Sequence, residues 1–445
     1  NIEIRFNMHI VCVFLKYVIL RALHRMNTKT IALTLVAVAI VAALLVFALS
    51  SGGDDDRDDG SDATVVDYAG RTVNIPENLD DGIVTIGRLS TLRWLAYFPQ
   101  EMEHVSMIDL GIQKSVESGA LAYSYAYSDI LKKAKTHSND NLDDADAIAK
   151  LKPSLILVNS STYNSYASSC DSLGALYPLA VIDTMSDIEA TGFWDSDYKL
   201  IDRFTKQADL YGKLLKNEKR AEEVKKIFQG NIDQIRSYSK GTVDTATYVG
   251  GPVNQGNNPL TSTYNPYPTL SIVGGVHALG GKTATHRIDL SPEEIQKLRF
   301  NTMVVDPGTF GKGKGHDGSL LFSPNSQGVL LDVYGRNGNA DKTDDVRIFI
   351  TLPTISHGAN WDCVLAGSYY MAYLHHGSMT QEQMWNHVSK VFSDLYTEAR
   401  GGAVLQKVCD YYKNVMEGVD PGIKAKVFGE VRVATSSGKY ILTEA

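Results

Sequence analysis

The sequence predicts an α/β protein of two Rossmann-like lobes with mostly parallel sheets, joined by one long bridging helix and preceded by a single transmembrane anchor. Three observations carry this. A short helix feeding a continuous apolar run occurs twice, at 142–159 and again at 291–307. The stretch 199–240 between them has no proline and keeps a helical apolar period. Near the start, 31–49 holds a single polar side chain, Thr34.

Composition narrows the classes. Of 445 residues, 44% are hydrophobic and 21% charged, with 37 Gly and 13 Pro, which excludes a collagen, a coiled coil and a disordered chain. The net charge is −8, yet Arg5, Lys16, Arg21, Arg25 and Lys29 face only Glu3 in residues 1–50. The acid excess therefore lies in the body, and an acidic body offers nucleic acid no footprint. Four cysteines, Cys12, Cys170, Cys363 and Cys409, are too scattered for a disulfide scaffold. Buried free thiols are the reading adopted, with one bridge among the last three left open in an oxidising compartment.

At 1.5 Å per residue, 31–49 spans roughly 28 Å, about one hydrocarbon thickness. The basic residues before it put residues 1–30 on the cytoplasmic side and the body outside. Met26 opens a short basic region and reads as a natural start, which would leave 1–25 outside the native protein. A cleavable signal ending near Ala48-Leu49-Ser50 is the alternative to an uncleaved anchor. Residues 50–63, rich in Asp, Gly and Ser, form an acidic flexible linker with nothing apolar to bury.

Lobe I is expected over 64–198. Thr64–Pro76 reads as a hairpin around Asp67-Tyr68-Ala69-Gly70, followed by a strand at Gly82–Ile86 and a helix at Leu89–Phe98 that Pro99 stops. Leu142–Lys152 is a helix leading into Ser154–Asn159, an apolar run suited to a strand covered on both faces. Ala180–Thr184 is a further strand. The connecting segment, 199–240, is too long for one helix within a lobe, so a break near Asn217 leaves Glu218–Ser239 as the bridge.

Lobe II is expected over 241–421. Its strands are Thr245–Val249, Thr302–Pro307 and Val346–Leu352. Ser291 caps a helix with Pro292 at its first position and Glu294 completing a capping box. Residues 422–445 are expected as a C-terminal hairpin extension.

Several of these pieces resemble one family. The opening Val65-x-Asp67-x-x-Gly70-Arg71-x-Val73-x-Ile75-Pro76 and the segment Ala147–Leu157, with its Leu151-Lys152-Pro153-Ser154-Leu155-Ile156-Leu157 core, are similar to the helical-backbone substrate-binding proteins of ABC importers. The Ile83–Gly87 strand, the bridging helix and the strand ending at Asp306-Pro307 follow in that family's order, over residues 64–415. The family's lipid-modified cysteine is absent, and 422–445 extend past its expected last helix. The resemblance implies an extracytoplasmic receptor with no catalysis and no cofactor. It would deliver a metal chelate, a ferric siderophore or iron complex, to a permease dimer driven by cytoplasmic ATPase subunits. Cobalamin or haem are alternative cargoes, and an anchored surface enzyme or sensor on the same fold is the rival reading.

In open α/β sheets, ligands sit beyond the carboxyl ends of the strands. That points to Arg88 and Ser90 after the first strand, and to Ser160, Ser161 and Tyr163 after 154–159. Tyr123, Tyr125 and Tyr127 alternate along a loop or edge strand and would share one side. Gly251 and Asn254 follow the first strand of lobe II. Lys312, Lys314 and His316 sit on a glycine-rich loop able to clamp an anion, and His357 and Trp361 follow the strand near Leu352. Each has a plainer reading beside it: a surface arginine, chance tyrosines, a solvated basic loop. Catalytic motifs fail: Gly281-Lys282-Thr283 lacks the glycine a phosphate loop needs at Val276, and no GxSxG or HExxH occurs. His375 and His376 are adjacent and make a poor metal pair, so no metal ligand is assigned.

Overall fold

The computed structural model describes residues 64–88, 90–138, 142, 144–252, 259–311, 318–338, 345–355 and 358–445. The anchor at 31–49 and the linker at 50–63 lie outside the described residues. Among those described, no helix is long and apolar enough to cross a membrane.

The opening hairpin forms as expected, β1 (Thr64–Val66) against β2 (Thr72–Asn74). The first sheet is wholly parallel, in the order β5 (Lys135–His137), β4 (Val105–Asp109), β3 (Ile83–Ile86), β6 (Leu155–Asn159), β7 (Leu179–Ile182). The hairpin guards its β7 edge: Tyr68 N donates to Val181 O, and Val181 N donates to Asp67 Oδ2. A covered edge cannot recruit a foreign strand.

The second sheet is mixed. Parallel strands β10 (Val276–His277), β8 (Ala246–Gly250), β12 (Thr302–Val305) and β13 (Arg347–Ile350) continue into antiparallel β14 (Glu430–Ser436) and β15 (Lys439–Glu444). The last hairpin is thus part of this sheet rather than an appendage. A separate ribbon pairs β9 (Ser262–Asn265) with β11 (Ala284–Asp289).

Strand periodicity sorts the apolar side chains into layers. In β6, Leu155 and Leu157 face the largest core cluster, while Ile156 and Val158 face a smaller one on the other side. In β12, Val304 joins that same large cluster, and Met303 and Val305 pack in a cluster of their own. Both sheets therefore share one central core, and each also packs a smaller cluster of its own on its other face. The helix Trp361–His376, buried without a break from Trp361 to Ala372, runs through this layer.

The bridging helix is Glu218–Tyr238. Its break falls where expected, at Asn217, whose side chain accepts from Arg220 N as an N-cap. A Cβ on Gly212 would lie 2.7 Å from the Ala221 Cβ, so the preceding helix, Asp202–Leu214, needs glycine to pack this closely. Arg220 ties the helix to both halves, donating to Tyr97 O at 2.7 Å and to Asp394 O at 2.9 Å.

Candidate binding site at the strand ends

The chain leaving β3 turns sharply. Gly87 has φ +88, and a Cβ there would lie 2.0 Å from Asn159 Nδ2, so glycine is required by both backbone and space. Ser90 follows at φ 74, an uncommon conformation for a residue with a side chain, and the kind of strain that gathers at functional sites. The turn leaves Arg88 half-buried at the carboxyl end of the sheet's central strand.

Hydroxyls from three strand ends meet around Ser90. Ser90 Oγ donates to Thr184 O at 3.0 Å, and Thr184 N donates to Ser160 Oγ at 3.4 Å. The Oγ atoms of Thr184 and Ser186 are 3.4 Å apart. Ser161 is exposed next to them. Ser160 and Ser161 open a helix, Ser160–Ser165, capped by Asn159, rather than the loop expected.

The segments after the strands of both sheets meet here. The turn at Ser186–Ile188 packs against β11. Arg93, from the helix after β3, donates to Ala359 O at 2.6 Å across the seam. Glu189 is buried in the same seam, where desolvation lifts its carboxyl to about 7 against the pull of Arg93. From the other side, burial raises the Tyr264 phenol, with Glu189 adding to the rise and Arg287 opposing it. Arg287 also borders a cavity of ≈ 350 Å³ lined by Thr261, Asp289 and Ser323.

Other expected residues lie elsewhere. Tyr123, Tyr125 and Tyr127 do not share a side, because the segment is a helix, Ala122–Ala126, not a loop or strand. Tyr123 lies under the Arg93 guanidinium at 5.0 Å, and Tyr127 donates to Ala96 O, both almost fully buried. Tyr125 packs on Lys407. Tyr163 is drawn away to Arg71, 4.8 Å over its ring, and to Asp171. Trp361 is core, 2% exposed and 5.3 Å from the Phe193 ring, so it cannot wall a pocket. Gly251 follows β8 at φ 84, donating to Ser262 O. Asn254, Lys312, Lys314, His316 and His357 lie outside the described residues. Among those described, no three His, Cys, Asp or Glu side chains gather to hold a metal, and Cys170, Cys363 and Cys409 are free thiols.

Thr184 and Ser186 were within reach of the strand-end rule, since their strand was expected. Glu189, Tyr264 and Arg287 carried no sequence signal: their role comes from the meeting of the two sheets.

No protein-family model matches the chain, and no curated protein matches it. Solved structures do. A periplasmic solute binding protein from Veillonella parvula aligns with TM-score 0.52 and 13% identity, covering 80% of this chain and 98% of its own. The TroA-like periplasmic binding protein FepB from the same organism aligns with TM-score 0.51 and 14% identity, covering 75% of this chain and 95% of its own. At such identity the likeness is one of fold. The chain has the fold of periplasmic solute-binding proteins.

Proposed function

We propose that the chain is an extracytoplasmic solute-binding protein of an ABC importer, tethered by residues 31–49, that carries a ferric chelate to a permease dimer powered by cytoplasmic ATPase subunits. The observation that carries this reading is the fold shared with periplasmic solute-binding proteins, combined with a polar rim at the strand ends. In that rim the hydroxyls of Ser90, Ser160, Thr184 and Ser186 gather, and Arg88 lies two residues before Ser90 on the same turn. A fixed planar cation suits the carboxylate or catecholate oxygens of an anionic chelate, and hydroxyls suit its remaining acceptors. No group in the rim is assigned a catalytic role.

The test is a titration of the full chain with ferric siderophores, haem and cobalamin, following tryptophan fluorescence. Saturable quenching at micromolar or tighter affinity by a ferric siderophore is the expected result. Saturation by haem or cobalamin alone would keep the receptor and change its cargo; no response to any would remove the receptor reading. Arg88→Ala should weaken binding by about tenfold or more, since a hydrogen bond to a charged group contributes roughly 1.5–3 kcal/mol.

A further inference from the structure

The second sheet ends in a carboxylate that the binding rim does not use. Asp306 follows β12 and is 2% exposed. Its Oδ1 accepts from Gly308 N at 2.8 Å and the Thr354 backbone N–H also approaches the carboxylate, while Oδ2 is buried with no hydrogen-bond partner of good geometry. Two threonine hydroxyls share that condition and a third lies beside them. Thr269, Thr309 and Thr351 are each 0% exposed; the buried Oγ1 atoms of Thr309 and Thr351 bond to nothing, and that of Thr269 meets only the Tyr267 phenol.

These four residues come together at one end of the sheet. Thr351 N donates to Val305 O at 3.1 Å, one residue before Asp306, and Thr309 N donates to Asp306 O at 3.1 Å. A Cβ on Gly367 would lie 3.1 Å from Thr269 Cγ2 and 3.5 Å from Thr351 Oγ1, which brings Thr269 to the same place. Tyr267, Tyr412 and Cys363 pack around them, and Asp306 raises both phenols further after burial has done so. Among the described residues no basic side chain forms an ion pair with Asp306.

Buried polar atoms almost always find partners, so several orphans in one place call for an occupant. The oxygens do not bond to one another, so each needs a partner from elsewhere. A proton on Asp306 Oδ2 would add a single donor, enough for at most one of the threonine oxygens, and would leave the others without a partner. The donor set is oxygen throughout, with one formal negative charge and no imidazole or thiolate among the orphans. Hard cations take such sets, and divalent ions are usually held by more carboxylates or by retained water. A single carboxylate neutralises a single positive charge, which is what a buried site requires.

We propose that Asp306, Thr269, Thr309 and Thr351 form a buried binding site for an alkali-metal cation, sodium or potassium. The site lies at the carboxyl end of β12 and β13 and stabilises the second sheet where it meets the central core. It needs no chelate and stands or falls separately from the transport reading.

Heat unfolding of the full chain at pH 8 tests it, in sodium, potassium and N-methylglucamine chloride at equal ionic strength. Sodium or potassium should raise Tm by roughly 3 °C or more over N-methylglucamine, saturating with concentration, and the better of the two names the ion. Asp306→Asn should remove the ion-specific part. Equal Tm in all three salts, or an ion-specific gain that survives in Asp306→Asn, would overturn the site. Should that variant fail to fold, thallium-soaked crystals of the unmodified chain decide: an anomalous peak beside Asp306 supports the site, and a water there without one refutes it.

Discussion

Both halves of the molecule bury aspartates, but one in the second half stands apart. In the first, Asp67, Asp109 and Asp183 are nearly inaccessible, and each lies near a base: Arg71 at 2.9 Å, His137 at 3.9 Å and Arg203 at 2.7 Å. In the second, Asp362 accepts from the Tyr396 hydroxyl at 2.7 Å, whereas Asp306, as deeply buried, bonds only to backbone and, among the described residues, meets no base. A buried charge is tolerated when it is paired and fully hydrogen-bonded, and is costly when it is not. The first half therefore uses its aspartates as internal fasteners. The second keeps one whose partner has to come from outside the chain, as a proton or a cation.

The largest effect should come from breaking a fastener. Asp67 accepts from Ala69 N, Arg71 N and Val181 N, and from the Nε and Nη2 of Arg71. It holds the opening hairpin onto the β7 edge and compensates a guanidinium that is only 22% exposed. Asp67→Ala should cost about 3–5 kcal/mol, measured by urea unfolding. Asp306→Asn, in a buffer free of alkali cations at pH 8, should cost far less or stabilise. Equal losses in the two variants would erase the distinction between the halves.

The pH dependence sharpens the same contrast. Burial lifts the Asp306 carboxyl from the usual aspartate value of 3.8 to about 7. Between those two values the folded state holds a proton that the unfolded state has released, so stability is full below about 4 and falls as pH rises towards 7. The slope from one such group is at most about 1.4 kcal/mol per pH unit. Glu189, lifted to about 7, acts in the same direction. His277 and His375, held neutral by burial at about 4, act oppositely, losing stability as pH falls below the usual histidine value. The informative quantity is therefore the difference between the unmodified chain and Asp306→Asn. Without alkali cations that difference should grow from pH 5 to 7 and level off above. A flat difference would mean that Asp306 does not gain a proton on folding.

What could be read from the sequence follows from how local each signal was. The hairpin, the doubly covered strands β6 and β12, the helix break at Asn217 and the capping box at Ser291 are each written in a few adjacent residues, and all are present. Strands β4 and β5 gave less warning, because Val105–Asp109 and Lys135–His137 are not continuous apolar runs. The tyrosine segment was misread through its period. Alternation suggested one shared side, but a helix puts Tyr123 and Tyr127, four apart, on one face and turns Tyr125 away. Trp361 starts a helix buried on every side for twelve residues, which leaves no amphipathic stripe to reveal it as core. The strand-end rule reaches the positions of Arg88, Ser90, Ser160 and Ser161, whereas Glu189 and Arg287 come into the seam only through tertiary packing. Asp306 was visible only as the end of a strand; its missing partner is a property of packing.

The smallest effect tests how far a local fastener reaches. In the second half, the helix Pro292–Gln296 is held by a capping box: Glu294 N donates to Ser291 Oγ at 3.2 Å, and Ser291 N donates to Glu294 Oε2 at 2.7 Å. Both bonds are solvent-exposed and join residues three apart, unlike the Asp67 contacts, which reach across more than a hundred residues to Val181. Ser291→Ala should cost about 1 kcal/mol, the usual loss for an N-cap. By hydrogen exchange, the loss of protection should stay within 291–299 and leave both sheets intact. In Asp67→Ala, protection should fall in the hairpin and in β7 together. If Ser291→Ala loosened β12 as well, the short helix would be bracing the strand behind it, and the second half would depend on local caps more than its shared core implies.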